Sequence, residues 1–196
     1  MYGSYTMVVV ANGGSNAITL TSPTVATYGE NNAKDTWAYT EAVNITSNEA
    51  VNLSATLDRI CTLLGVQSTD NHPAEVPHMR LTLSAGAKSF SPTTGLATSN
   101  TGFSVTIALP DATLGSTAAI GTFLFLATDE QTMDVTIETL DAADGNVLFS
   151  KTVENVPFKR NRQTALTGPV FSGTSLSASG FQVNTGWLDA EDPINF

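Results

Sequence analysis

Chemistry needs side chains that ionise, ligate or attack, and few here are placed to do so. His72 and His78 flank the prolines at 73 and 77. A zinc site would want further His or Cys at ligand spacing, and Cys61, the single cysteine, is the one candidate partner. Both histidines therefore read as surface residues of a polar connection. Cys61 lies in Ile60-Cys61-Thr62-Leu63-Leu64 and reads as a small buried hydrophobe, with a reactive thiol or an intermolecular bridge as alternatives. An intrachain disulfide is impossible. Ser and Asp are common, but no Gly-x-Ser-x-Gly elbow presents a nucleophile. Asp141-Ala142-Ala143-Asp144-Gly145-Asn146 has half the character of a calcium loop. It lacks the ligand spacing and closing Glu of an EF-hand, so a plain turn is the first reading and weak calcium binding the second. The acidic tail with Asp189, Glu191 and Asp192 reads as a solvated terminus. No catalytic residue, cofactor site or metal site is expected, and the chain reads as a non-enzyme.

Two surface features remain. Lys159, Arg160 and Arg162 are three of the eight basic residues and fall inside the stretch 155–168. They could bind an anion. In an acidic protein they are better placed to pair with carboxylates or to touch a neighbouring subunit. Trp37 and Tyr39 stand two apart in an extended run and so share a face. Stacking a sugar is open to them, though burial in the core is the preferred reading. The net charge of −10 repels phosphate backbones, so no nucleic acid is expected as a partner.

The elements that must carry these residues are strands. Hydrophobic residues make up 41% of the chain, enough for a packed core, while charged residues make up only 13%, which leaves few good helix formers. Residues 2–10 end in three valines, a strong strand signal. Residues 12–16 are turn chemistry, 17–20 a short strand and 22–35 a loop; 37–45 are extended again. Residues 51–66 begin with period-two alternation (Val51, Leu53, Ala55, Leu57) and read as strand throughout, with room for a bulge or helical turn near Arg59. Residues 68–77, polar and twice broken by proline, form a boundary or long connection. Residues 79–85 and 103–109 alternate cleanly. Phe123-Leu124-Phe125-Leu126 is apolar on both faces and suggests a central strand. Residues 132–139 and 147–153, joined by the turn at 141–146, make the clearest hairpin. Residues 174–180 are a Ser-rich loop, and Phe181 and Val183 a last short strand. Short strands at intervals of roughly ten residues point to an all-β antiparallel β-sandwich. No run approaches the ~20 apolar residues of a membrane span, and no export signal is visible at residues 1–5.

Several of these stretches together resemble the fimbrillin-like proteins of Bacteroidetes, which build or anchor type V pili. One is Gly3-Ser4-Tyr5 through Val10-Ala11-Asn12. Another is Val51 to Cys61, with its central Arg59. The fullest runs from Met133-Asp134-Val135 through Asp144-Gly145-Asn146 to Asn155-Val156-Pro157-Phe158-Lys159-Arg160-Asn161-Arg162-Gln163-Thr164 and Gly168. The end, Phe181-Gln182-Val183-Asn184-Thr185-Gly186-Trp187, is similar to the family's closing strand. The resemblance implies transthyretin-like, Greek-key β-sandwich domains, a lipoprotein export signal, and an extracytoplasmic place at the outer-membrane surface or in a fimbrium. It implies a part of a first domain over residues 1–67 and a complete second one over 68–196, since the chain starts where the first domain should be well under way. It also implies other pilus subunits as partners, and a host or bacterial surface ligand.

A sandwich lacking a strand exposes backbone N–H and C=O groups, which an extended segment of another subunit can satisfy. Residues 181–196, with Phe181, Val183 and Trp187, are the expected donor or edge strand. The competing expectation is a carbohydrate-binding surface lipoprotein domain that uses Trp37.

Overall fold

In a computed structural model, the structure describes residues 2–14, 18–29, 33–172 and 182–184. The chain folds into strands β1 (Gly3–Asn12), β2 (Ile18–Ser22), β3 (Val25–Tyr28), β4 (Thr36–Ile45), β5 (Asp58–Arg59), β6 (Thr62–Ser68) and β7 (His78–Leu83). There follow β8 (Ser89–Phe90), β9 (Phe103–Ala108), β10 (Ala119–Leu124), β11 (Glu130–Leu140), β12 (Val147–Lys159), β13 (Gln163–Gly168) and β14 (Gln182–Asn184). Among the described residues the one helical element is a 3-10 turn at Asp111–Thr113.

The larger body is a two-layer sandwich. One layer has strand order β10-β6-β13-β14 and the other β12-β11-β7-β9. Alternation sets what lies between them. Met79, Leu81 and Leu83 of β7 and Met133, Val135 and Ile137 of β11 face Leu64, Val66 and Leu166 of the opposite layer. Each such fully buried side chain contributes roughly 1.5–3 kcal/mol. The expected hairpin is present as β11 and β12, paired from Glu130↔Lys159 to Leu140↔Val147.

The smaller body sets β1-β4-β5 against β2-β3-β8. Its core is Ala26, Tyr28, Ala33, Ala38, Ile60, Cys61, Phe90 and Phe125, with the Phe90 and Phe125 rings stacked 4.4 Å apart.

Four expectations give way. The loop expected at 22–35 contains β3, because Ala26 and Tyr28 alternate into the small core. Residues 51–57 are not a strand, despite their alternation; only Asp58 and Arg59 pair, with Ala38 and Trp37 of β4. The Phe123–Leu126 run is not central: β10 lies at the edge of its sheet. It is apolar on both faces because it serves two cores, Leu124 and Leu126 in the larger and Phe125 in the smaller. Finally, one pairing is parallel. β13 runs beside β6 from Gln163↔Leu63 to Gly168↔Ser68, which the long intervening chain permits.

The 155–168 stretch proves to be architecture. Asn155 adopts φ 54°, in the left-handed region, and forms a bulge where Met133↔Val156 is followed by Val135↔Val153. Its N–H donates to Asp134 Oδ1 at 2.9 Å. Asn161, at φ 57°, makes the turn into β13, and its N–H donates to the Cys61 carbonyl at 2.9 Å. Asn tolerates this conformation better than most residues. Pro157 is accommodated because β12 is an edge strand. The buried Thr164 hydroxyl donates to the Pro157 carbonyl at 2.7 Å.

Candidate functional site

The Arg160–Asn161 turn follows β12 and lies across from residues Ala38–Thr40 of β4. Between them lies an open cleft of about 460 Å³, lined by Tyr39, Asp58, Arg59, Thr94, Arg160 and Asn161 among others. Arg160 Nη2 pairs with Asp129 Oδ1 at 2.9 Å, and its Nη1 donates to the Thr94 carbonyl at 3.2 Å. Gly95 fits here because φ is 72° and a Cβ would stand 2.7 Å from Ile60 Cγ2.

Arg59 organises the wall of this cleft. Its Nε and Nη2 donate to the two carboxylate oxygens of Asp35 at 2.8 and 3.0 Å. Its guanidinium lies 5.3 Å from the Trp37 ring centroid, and Nη1 donates to Asn161 Oδ1 at 3.4 Å. A forked, stacked arginine of this kind is not replaceable by lysine. Trp37 and Tyr39 do not join the core as expected. The small Thr36 and Ala38 point inward, and the two larger rings lie half-buried on the outward face. The inner space is already filled by Tyr28, Phe90 and Phe125. One face of Trp37 is covered by Arg59, while the Tyr39 hydroxyl donates to Glu41 Oε2 at 2.9 Å.

The three basic residues do not converge on one site, although Lys159 and Arg160 share a recess with Asp129 and Glu130. Lys159 and Arg162 line a groove of about 550 Å³ with Glu130, Gln131, Pro157 and Gln163, whereas Arg160 turns to the cleft. Lys159 forms an ion pair with Glu130. Val183 falls in β14, at the edge of its sheet and opposite Leu166. Phe181 and Trp187 lie outside the described residues.

The chemistry candidates are engaged in structure. His72 is not a surface residue: it is buried, with Nδ1 2.7 Å from Thr113 Oγ1 and Nε2 2.6 Å from the Val76 carbonyl oxygen. Packing against Phe171, with ring centroids 5.3 Å apart, draws it inward. His78 is half-buried, and its Nδ1 is buried without a hydrogen-bond partner. Burial, and then the Asp35 carboxylate, push the Cys61 thiol far above its usual range, so it is not a nucleophile at neutral pH. Asp141 receives the Asn146 N–H at 2.7 Å and its side-chain amide at 2.9 Å. These bonds hold its carboxyl below the usual range and close the turn from within.

Asp70 escaped the sequence reading. Its carboxylate receives the backbone N–H groups of Val170, Phe171 and Ser172 at 2.9, 2.9 and 2.6 Å, and the Ser172 hydroxyl at 2.7 Å. Burial alone would raise its pKa, but these four bonds outweigh it and hold the carboxyl below the usual range. It clamps the exit of β13 to the end of β6. The partners lie a hundred residues away, so no local signal marks it.

Over residues 16–189 the sequence matches a family described as a family of unknown function, DUF6562. No curated protein matches it. Among solved structures, a candidate adhesin from Bacteroides ovatus ATCC 8483 superposes with a TM-score of 0.55 at 12% identity, covering 78% of this chain and 65% of its own. A second candidate adhesin from Bacteroides ovatus gives 0.52 at 10% identity, covering 98% and 77%. The fimbrial anchor protein Mfa2 from Porphyromonas gingivalis gives 0.47 at 13%, covering 95% and 76%. The chain thus spans less than two thirds of the first of these proteins. At such identities the likeness is one of fold, and the first two carry it. The chain therefore belongs to the family of unknown function DUF6562, on an all-β fold shared with candidate adhesins of Bacteroides ovatus.

Proposed function

We propose that this is a non-enzymatic cell-surface structural or adhesion protein, a fimbrillin-like pilus subunit, tip or anchor that coheres with other pilus subunits through β-strand edges. The observation that carries this reading is β1. It is an edge strand that pairs with β4 without interruption from Gly3↔Ile45 to Asn12↔Thr36. Its ten residues, GSYTMVVVAN, contain no charge and no proline. Sheet edges are ordinarily guarded by one of these or by a bulge, and an unguarded edge favours pairing with another chain. Lys159, Arg160 and Arg162 serve as polar contacts to a partner subunit, and residues 181–196 as a donor or edge strand. The chain works as two β-units divided near residue 67, with β6, at that point, joining the sheet of the second, and the second lending Phe90 and Phe125 to the core of the first. Electron microscopy and surface proteolysis of cells with and without the gene test the role. Protease-shielded protein and unchanged fibres and adhesion would sink it. Truncation after Gly180 tests the donor strand, since unchanged self-association counts against it.

A second reading, a carbohydrate-binding surface lipoprotein domain, is favoured by one observation. Tyr39 lines the cleft together with Asp58 and Asn161. Because Arg59 covers Trp37, the discriminating variant on a glycan array is Tyr39→Ala. Binding that disappears with this change supports the reading, and absence of any glycan hit removes it.

A further inference from the structure

The outward half of the smaller body contains a sheet edge and a segment that match each other. β5 pairs with β4 only through Arg59↔Trp37 and Asp58↔Ala38. Beyond that point, residues 39–45 of β4 have no strand on this side among the described residues. The segment leading into β5, residues 51–57, is outside any strand, and Val51 and Leu53 are 50% and 43% exposed. The paired residue numbers of β4 and β5 sum to a constant. Continuing that register backwards places Leu57 opposite Tyr39, Leu53 opposite Val43 and Val51 opposite Ile45.

The faces agree as well as the register. Arg59 lies over the Trp37 ring, which fixes one face of the sheet. Side chains alternate along a strand, so Leu57, Leu53 and Val51 fall on that face with Tyr39, Val43 and Ile45. Asn52, Ser54 and Thr56 fall on the other. The connection, residues 46–50, has a length used by β-hairpin loops. Without a third strand, the outer halves of β1 and β4 form a two-stranded ribbon, a marginal structure in water.

We propose that residues 51–57 are a strap that closes in cis on the free edge of β4, extending β5 into a full-length strand. The free edge of β4 is a second place, on the opposite side of the sheet from β1, where an extended strand from another chain could pair, and the closed strap occupies it in competition with any such partner. This goes beyond the assembly role proposed above and stands whether or not the chain assembles.

Paired cysteines test it in the full chain. Residues opposed across antiparallel strands have Cα atoms about 4.5–5.5 Å apart, within disulfide range. Val43→Cys with Leu53→Cys should form an intrachain disulfide in a monomer under mild oxidation, while Val43→Cys with Ser54→Cys, out of register, should not. Both positions lie outside the two cores, and the buried Cys61 does not compete. An interchain disulfide would overturn closure in cis in favour of exchange between copies. Two free thiols would overturn it outright. As an independent arm, Leu53→Pro should speed amide exchange at residues 41–45 by roughly tenfold or more, and an unchanged rate would count against the strap.

Discussion

The two bodies of this molecule follow the same strand-building rules to different ends. In the larger, both layers alternate cleanly and turn their apolar faces toward each other, so Leu81, Val135, Ile137 and Leu166 are fully buried. In the smaller, a compact aromatic core holds only the inner half of the sheet. The outer half carries Tyr5 at 40% exposure, with Trp37 and Tyr39 turned away from the core. Both bodies have edge strands and some exposed apolar residues, but the smaller buries fewer of its strand residues and exposes Tyr5, Leu20, Val51 and Leu53. That difference supports the contact role proposed for the smaller body.

Truncations should sharpen it. Ile137→Ala, in the larger core, should cost about 2–5 kcal/mol in denaturant unfolding. Val43→Ala, on the outer ribbon, should change stability by no more than ~0.5 kcal/mol. Equal losses would break the contrast. Asp70→Ala should come next, at about 1.5–3 kcal/mol, because it removes hydrogen bonds to a charged acceptor. Its pH dependence has a definite sign. A carboxyl held below its ordinary range contributes fully above that range and loses its contribution as pH falls through the depressed value. Asp70→Asn should therefore be less stable than wild type at neutral pH, and the gap should shrink in acid. Asn155→Ala, which removes asparagine's tolerance of the left-handed region at φ 54°, should cost about 1 kcal/mol, and Asn155→Gly less. Smallest of all, neutralising Lys159 or Arg160 should cost ~0–1 kcal/mol and show salt sensitivity, since their partners Glu130 and Asp129 are exposed. A larger effect from either would mean that the pair is buried by contact with another subunit.

The strands of the larger body were legible because period-two alternation and burial coincide there, as in β7 and β11. The β11–β12 turn was legible from Asp144-Gly145. The smaller body misled for a physical reason. Alternation reports which residues share a face, not whether that face is covered or the strand paired, so residues 51–57 alternate without a paired strand and Trp37 and Tyr39 lie outside the core. The Phe123–Leu126 run signalled two covered faces correctly, but one chain position cannot say that the covers belong to separate cores. The parallel β6–β13 pairing, the Asp70 clamp and the burial of His72 all depend on residues far apart in sequence. Of the candidate site, the basic residues were visible, whereas their division between a cleft and a groove depends on the turn at Asn161.

The placement of Phe125 has a mechanical consequence. Its ring stacks inside one body while Leu124 and Leu126, its immediate neighbours, are sunk in the other, and the backbone bridges Ala87↔Phe125 and Ala33↔Phe123 run alongside. Four consecutive residues thus act as a rivet through both. Separating the two bodies would therefore mean breaking both bridges and both sets of core contacts at this one run.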